Sequence, residues 1–121
     1  MRILVVDDDP LATEISSAVL EDGGCDVVAV ENAAAALKVL AGDRDFDAVV
    51  SDMNMPGLSG LELFQALRAA GNQLPFILLS GDDPRELLRQ QPGLTACVAK
   101  DMDLDAALMT AIADALLPSR N

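Results

Sequence analysis

Residues 49–56 decide the fold, and they read Val49-Val50-Ser51-Asp52-Met53-Asn54-Met55-Pro56, with Gly60 four residues further on. Val49 and Val50 are β-branched, belong to an apolar run too short for a helix, and precede a turn-rich segment. The stretch therefore predicts a buried strand that ends at Asp52. In an open α/β sheet ligands bind at the carboxyl ends of the strands, so Asp52 is a candidate nucleophile or metal ligand. The alternative is that Asp52 is a turn residue whose side chain accepts backbone N–H bonds.

Length and charge restrict the classes of function. The chain has 121 residues, of which 51% are hydrophobic, and we expect one domain over residues 1–121 with its own core. Eight Lys and Arg against twenty Asp and Glu give a net charge of −12, which argues against direct binding to nucleic acids or to anionic membranes. No apolar run approaches the roughly 20 residues that span a bilayer, and no signal peptide is recognisable, so we expect a soluble, cytoplasmic protein.

Missing residue types exclude further functions. The chain contains no His, which rules out His-based catalysis, His metal sites and a role as a phosphohistidine carrier. It has no Trp or Tyr and three Phe, so platforms that stack flavins or single-stranded nucleic acid are not expected. Cys25 and Cys97 are far apart in the sequence and form no Cys-x-x-Cys motif, so we expect two reduced thiols in apolar surroundings.

Strand-like and helix-like patterns alternate along the chain. Apolar runs predict five strands, at 3–6, 25–30, the run that ends at Asp52, 76–80 and 96–99. Capping residues and helical spacing predict five helices, after Asp9-Pro10, from Asn32 through Leu40, from Ser59 or Gly60 to Gly71, over 85–91, and after Asp103. In the first helix the spaced apolar residues are Leu11, Ile15, Ala18 and Val19. Because parallel strands need right-handed helical crossovers, this alternation predicts a doubly wound α/β fold, a parallel sheet covered on both faces.

Polar residues follow four of the five strands at the same edge of the predicted sheet. Asp7 and Asp8 follow the first strand, Asp52 ends the third, Ser80 ends the fourth and Lys100 follows the fifth. Carboxylates held within a few ångströms repel one another and attract a cation, and hard oxygen ligands suit Mg²⁺. Such a metal keeps several waters and leaves positions for the oxygens of a phosphoryl group. The alternatives are turn solvation by the carboxylates, a serine that closes its own turn, and a lysine that extends to solvent.

These residues resemble the receiver domain of two-component response regulators. The resemblance covers nearly the whole chain and rests on Ile3-Leu4-Val5-Val6-Asp7-Asp8, Asp52-Met53-Asn54-Met55-Pro56 with Gly60, Ser80-Gly81 and Lys100. It implies a flavodoxin-like three-layer sandwich with five helices and the strand order 2-1-3-4-5 of the chemotaxis member of the family. The order of the strands comes from the resemblance alone.

The resemblance also implies a chemistry for Asp52. Its carboxylate would accept a phosphoryl group from the phosphohistidine of a sensor histidine kinase or phosphotransfer protein and become 4-aspartylphosphate. Asp8 and Asp52 would bind Mg²⁺ directly, Asn54 through its backbone carbonyl and Asp7 through a water. On this interpretation the chain is a phosphoryl acceptor and a signalling switch in a phosphorelay, not an enzyme.

Lys100 and Ser80 would complete the implied mechanism. Lys100 would supply positive charge to the phosphoryl group, and Ser80 would move to a phosphoryl oxygen and repack the face made by helix four, strand five and helix five. That face would control a downstream output protein or domain. Two residues depart from the family's pattern. Asp101 stands where relatives carry a cis proline, so we expect a trans bond there, and Cys97 replaces the aromatic residue that rotates inward on activation.

Three other functions share parts of the pattern. An aspartate-nucleophile phosphatase would also carry a strand-end aspartate, but its second motif carboxylate is the amide of Asn54 here. A flavodoxin-like electron carrier would offer hydroxyl and glycine donors to a flavin phosphate where this chain has aspartates. A receiver-shaped adaptor that never uses phosphate is an alternative because of Cys97 and Asp101. The apolar face of the last helix, widened by Met109 and Leu117, would allow a homodimer but does not predict one.

Overall fold

Five short parallel strands form one sheet: β1 (Arg2–Val6), β2 (Asp26–Val30), β3 (Ala48–Asp52), β4 (Phe76–Ser80) and β5 (Ala96–Ala99). The computed structural model describes residues 1–43, 45–55, 57–80, 89–90, 94, 96–99, 108 and 110–112. The strand order is β2-β1-β3-β4-β5 and every neighbouring pair is parallel. This confirms the parallel sheet that the sequence predicts and the strand order that the resemblance implies.

The register of the sheet brings the strand ends into line. Val6, the last residue of β1, pairs with Ser51 of β3, and Asp52 of β3 pairs with Leu79 of β4. Ser80 of β4 pairs with Ala99, the last residue of β5. The residues that follow or end these strands therefore share the carboxyl edge of the sheet.

Three helices are described with both ends: α1 (Pro10–Asp22), α2 (Ala33–Gly42) and α3 (Gly60–Ala69). Each follows a residue whose side chain accepts a backbone N–H bond from the first turn, namely Asp9, Asn32 and Ser59. The backbone is also helical at 89–90 and at 108 and 110–112, where the sequence predicts the fourth and fifth helices. The ends of these two helices lie outside the described residues.

Two apolar layers cover the two faces of the sheet because strand side chains alternate between the faces. α2 and α3 pack on the face that carries Leu4, Val6, Val49, Phe76 and Leu78. α1 and the helical residues Leu108, Ala111 and Ile112 pack on the face that carries Ile3, Val5, Val50, Ile77 and Leu79. The three-layer sandwich is therefore confirmed.

α1 differs from the simplest interpretation of its sequence. Ser16 and Leu20 are buried against the sheet, whereas the side chains of Leu11 and Ile15 are 64% and 49% exposed. Each pair is spaced by four residues, so each forms a stripe along the helix. The apolar spacing predicts the helix, but it does not distinguish the buried stripe from the exposed stripe beside it.

Cys25 and Cys97 are not joined in a disulfide, as the sequence predicts. Cys25 is buried in the apolar layer on the α1 face, and Cys97 packs against the layer on the α2 and α3 face. Among the described residues no helix has both the length and the apolar surface that a bilayer crossing requires.

Candidate metal site

Three carboxylates meet where β1 and β3 end. One oxygen from each of Asp7, Asp8 and Asp52 lies within 4.8 Å of the other two. Asp7 and Asp8 directly follow β1, and Asp52 is the last residue of β3. The side chains of Asp7 and Asp52 are buried, with 3% and 6% of their surface exposed, whereas Asp8 is exposed. The cluster is therefore closed towards the protein and open towards solvent on the Asp8 side.

The chemistry of this donor set fits Mg²⁺. Like charges at such distances repel one another, and the repulsion is stronger where protein displaces water. A divalent cation removes this repulsion, and Mg²⁺ prefers carboxylate and carbonyl oxygens while it keeps several waters. Two buried carboxylates and one exposed carboxylate offer both the oxygens and the open side that such an ion needs.

Local hydrogen bonds hold Asp7 against the start of α1. The backbone N–H of Asp9 donates to Asp7 Oδ1 at 3.0 Å, and the N–H of Asp7 donates to the carbonyl of Val30 at 3.1 Å. The Thr13 hydroxyl donates to the carbonyl oxygens of Asp9 at 3.0 Å and Asp7 at 3.4 Å. The Asp9 side chain accepts from the N–H of Leu11 at 3.0 Å, so it caps the helix, as predicted.

Three hydrogen bonds hold the main chain at Asp52 and Met53. The N–H of Met53 donates to the carbonyl of Leu79 on β4 at 2.8 Å. The Ser51 hydroxyl donates to the carbonyl of Asp52 at 3.0 Å. The N–H of Gly60, the first residue of α3, donates to the carbonyl of Met53 at 2.9 Å. These bonds fix the turn that carries the chain out of β3.

Ser80 and Asn54, two further residues of the predicted site, differ in burial. Ser80 is fully buried at the end of β4, one residue beyond the Leu79 that pairs with Asp52. Asn54 is exposed in the segment that follows β3. The predicted binding of Mg²⁺ by Asn54 and that of a phosphoryl oxygen by Ser80 stay predictions.

The lysine of the predicted site lies outside the described residues. β5 ends at Ala99, and Lys100 and Asp101 follow it in the sequence. Cys97 pairs with Leu78 of β4 and is partly buried, so the strand that leads to Lys100 is in the predicted place. The predicted role of Lys100 and the expected trans bond to Asp101 therefore stay predictions.

A cleft of about 320 Å³ opens beside the carboxylates, between α1 and the end of β2. It is lined by Asp7, Asp8, Pro10, Thr13, Glu14, Ala29, Val30 and Glu31. Of the three carboxylates, those of Asp7 and Asp8 border the cleft. Space beside the carboxylates suits an ion that keeps part of its water shell.

Two hydroxyl groups of the site are absent from the sequence-based prediction. Thr13 bonds the carbonyl four residues before it, and Ser51 is a single hydroxyl within an apolar strand. The signal for Ser51 was present in the sequence, because a buried hydroxyl in an apolar run needs a hydrogen-bond partner. The partner could not be predicted, since it depends on the geometry at the end of β3.

The amino-acid sequence is similar to one known family and to several characterised proteins. A family model described as the response regulator receiver domain matches residues 3–113. The sensory/regulatory protein RpfC of Xanthomonas campestris pv. campestris is 36% identical over 126 aligned residues, which cover 99% of this chain and 17% of RpfC. The response regulator MprA of Mycobacterium avium is 42% identical over 83 residues, which cover 69% of this chain and 36% of MprA. The chain thus spans between a sixth and about a third of these relatives.

Solved structures give the same result in three dimensions. A sensor protein from Polaromonas sp. JS666 superposes with a TM-score of 0.83 at 30% identity, over 94% of each chain. The response regulator TrrA from Thermotoga maritima, solved in complex with Mg²⁺-BeF, superposes with a TM-score of 0.78 at 30% identity, over 93% of this chain and 97% of TrrA. Sequence, strand order and acidic strand ends agree, and the chain belongs to the response regulator receiver domain family of two-component systems.

Proposed function

We propose that the chain accepts a phosphoryl group on Asp52 from the phosphohistidine of a sensor histidine kinase or phosphotransfer protein, in a reaction that requires Mg²⁺. One observation carries the proposal: oxygens of Asp7, Asp8 and Asp52 lie within 4.8 Å of one another at the carboxyl edge of the sheet. A relative of 30% identity, TrrA, was solved with Mg²⁺-BeF, which supports the same chemistry here. The chain would be a phosphoryl acceptor rather than an enzyme that turns over an external substrate.

In the proposed reaction a carboxylate oxygen of Asp52 attacks the phosphorus. The bond from phosphorus to the imidazole nitrogen breaks and its electron pair stays with the imidazole. The imidazole leaves as a neutral ring when its other nitrogen carries a proton, and otherwise it takes a proton from water. Burial of Asp52 restricts the directions in which its carboxylate can point, which favours in-line attack. Mg²⁺ held by the aspartates would supply positive charge to the transferred phosphoryl group.

The chain's own residues would divide the work of binding. Asp8 and Asp52 would hold the ion directly, Asp7 through a water and Asn54 through its backbone carbonyl. Asp8 is exposed, so it would bind the ion on the side where the ion keeps its waters. Asp7 is buried, so it would orient one of the waters that the ion holds. Lys100 would pair with the phosphoryl oxygens and partly neutralise the new dianion.

Ser80 would carry the signal. Ser80 is the last residue of β4, the strand that pairs with the strand of Asp52. A hydrogen bond from its hydroxyl to a phosphoryl oxygen would favour one packing of the neighbouring loop and helices over another. The altered face would bind a downstream output protein or domain. We place this exchange in the cytoplasm, because kinase domains need ATP.

The test is to incubate the chain with Mg²⁺ and acetyl phosphate and to measure its intact mass. The wild type should gain one phosphoryl group, and Asp52→Asn should gain none. Asp47→Asn is the matched control because it removes an aspartate at the opposite edge of the sheet, and it should be labelled like the wild type. Equal labelling of wild type and Asp52→Asn would refute the proposal.

The same labelling experiment, together with a parallel incubation with a phosphomonoester, separates the alternatives. A receiver-shaped adaptor that does not use phosphate gains no mass in any variant. An aspartate-nucleophile phosphatase would consume many equivalents of a phosphomonoester without a lasting increase in mass. A stable, stoichiometric, Asp52-dependent gain distinguishes the acceptor from both.

A further inference from the structure

We infer that Ser51 and Gly60 are positioning residues for the phosphoacceptor: they fix the carbonyl group of Asp52 from the α3 side of the sheet and thereby set the direction of its carboxylate. This inference rests on the proposed phosphorylation of Asp52. Neither residue belongs to the acidic cluster, and both act on the main chain of Asp52.

The carbonyl of Asp52 lies beyond the last pair of the β1–β3 ladder. Asp52 C=O and Met53 N–H belong to one planar trans peptide and point in opposite directions. The N–H is directed to Leu79 on β4, at 2.8 Å from its carbonyl oxygen, so the Asp52 carbonyl points away from β4. On the other side of β3, the pairing with β1 ends at Val6 and Ser51.

The Ser51 hydroxyl supplies a bond at this place. It donates to the Asp52 carbonyl at 3.0 Å, and the Ser51 side chain is completely buried. A buried hydroxyl without a partner is strongly unfavourable, so the bond holds the hydroxyl and the carbonyl together. Rotation of the Asp52–Met53 peptide would break it.

Gly60 closes on the same carbonyl from α3. A Cβ atom at this position would overlap the Asp52 carbonyl oxygen and would stand 2.7 Å from Leu78 Cδ1. Gly60 is not one of the glycines with a positive φ, so the requirement is for space and not for an unusual backbone conformation. The first turn of α3 therefore rests directly on the main chain of the phosphoacceptor.

The two residues act through the sheet and not on the carboxylate. Strand alternation places Ser51 with Val49 on the face covered by α2 and α3, and Asp52 with Val50 on the face covered by α1. A rotation of the shared backbone on one face moves the Asp52 carboxylate on the other. Misplacement of a reacting group by about 1 Å can lower a rate by about 100-fold.

The test compares rates of Mg²⁺-dependent labelling by acetyl phosphate, each corrected for the folded fraction measured by urea denaturation. We expect Ser51→Ala to be labelled about tenfold more slowly because the Asp52 carboxylate is less well oriented. Ser51→Thr keeps a hydroxyl and should stay within about twofold of the wild type. Ser16→Ala, the matched control, removes another buried serine hydroxyl on α1 and should also stay within about twofold.

Gly60→Ala gives an independent test because it displaces the carbonyl without removing a hydroxyl. Its rate should fall at least as far as that of Ser51→Ala, whereas Gly42→Ala should be neutral, since nothing lies within 4 Å of a Cβ there. Wild-type rates in both Ser51→Ala and Gly60→Ala would overturn the inference while the proposed function stands. A wild type that is not labelled, or is labelled equally in Asp52→Asn, would overturn both.

Discussion

The two ends of the sheet both carry aspartates, but the environments of these aspartates differ. At the amino end Asp43 accepts from the Arg2 guanidinium at 2.6 Å, and Asp47 accepts from the backbone N–H of Arg2 at 2.7 Å. The Arg2 guanidinium also lies 4.4 Å from the centre of the Phe46 ring. The backbone N–H of Asp45 and the Arg2 side chain lower the pKa of Asp43 below its usual value of 3.8.

At the carboxyl end the aspartates are gathered against one another. Oxygens of Asp7, Asp8 and Asp52 lie within 4.8 Å, and two of these side chains are buried. Carboxylates that accept hydrogen bonds from donors of the chain stabilise the folded state, whereas carboxylates pressed together oppose it until a cation binds. The difference separates aspartates that stabilise the fold from aspartates whose placement fits the proposed binding of a cation.

Among substitutions that test this difference between the two ends of the sheet, Asp8→Asn should have the largest effect, a loss of affinity for Mg²⁺. The substitution removes a proposed direct ligand, so the dissociation constant should rise by about 100-fold, at least as much as the loss of an outer-shell partner of a metal site. Without Mg²⁺ the same substitution should raise the free energy of unfolding, because it removes one of three repelling charges. Calorimetric titration and urea denaturation with and without Mg²⁺ measure both quantities.

Asp9→Asn is the matched control for Asp8→Asn. It removes the same charge from the next residue and keeps a good helix cap, since Asn and Asp are equally favourable at that position. Its affinity for Mg²⁺ should change little. The same loss of affinity in both variants would show that the total negative charge near the site, and not ligation by Asp8, determines the binding of Mg²⁺.

A smaller effect is expected from the apolar side chains exposed at the carboxyl end. Leu11 is 64%, Ile15 49% and Leu58 38% exposed, and α1 begins beside the acidic cluster. A phosphohistidine protein that reaches Asp52 would cover these side chains, so Leu11→Glu should slow transfer from such a donor by about 10- to 30-fold, just below the effect of an interface hot spot. Acetyl phosphate buries no such surface, and its rate should not change.

Gln65→Glu is the control for the added charge, because Gln65 is exposed in the middle of α3. Transfer to this variant should proceed as in the wild type. If Leu11→Glu slowed the acetyl phosphate reaction as much as the protein reaction, the effect would come from the site itself and the contrast between the two donors would be lost.

The smallest expected effect concerns Asp43 at the amino end. Because its folded-state pKa is lowered below 3.8, its ionised form stabilises the protein at neutral pH, and this contribution is lost as the pH falls through the folded-state pKa. Asp43→Asn should therefore lower stability slightly at pH 7 and have no effect in strong acid. Urea denaturation over a pH series checks this, with exposed Asp45→Asn as the control, since that change keeps the Asp45 N–H. A difference that persists unchanged below the folded-state pKa would contradict it.

Local signals in the sequence predicted much of the fold. β4 and β5 have the predicted bounds, since each is a short apolar run with clear breaks, and Asp9, Asn32 and Ser59 cap their helices as expected. The acidic cluster could also be predicted, because strand ends of a parallel sheet share one edge. Strand order could not be predicted from periodicity, which carries no information about neighbours, and it came from the family resemblance.

The features that the sequence predicts wrongly or not at all depend on tertiary contacts. Cys25 was expected to begin β2, but its N–H donates to the carbonyl of Leu20 at 3.0 Å, so it still belongs to the turn that ends α1. The exposure of Leu11 depends on which stripe of α1 faces the sheet, and a single sequence with two such stripes does not decide it. The contact of Gly60 with Asp52 joins two elements and leaves no local signal.

β2 has a consequence for how the protein behaves at high concentration. It lies at the edge of the sheet, it is rich in valine, and exposed Asp26 and Glu31 stand at its two ends. Edge strands of this kind invite pairing with a second copy, and flanking charges oppose it. The net charge of −12 adds a longer-range repulsion between copies. The long-range repulsion is weakest near the isoelectric point of about 4.1, so edge-to-edge aggregation through β2 is most favoured there.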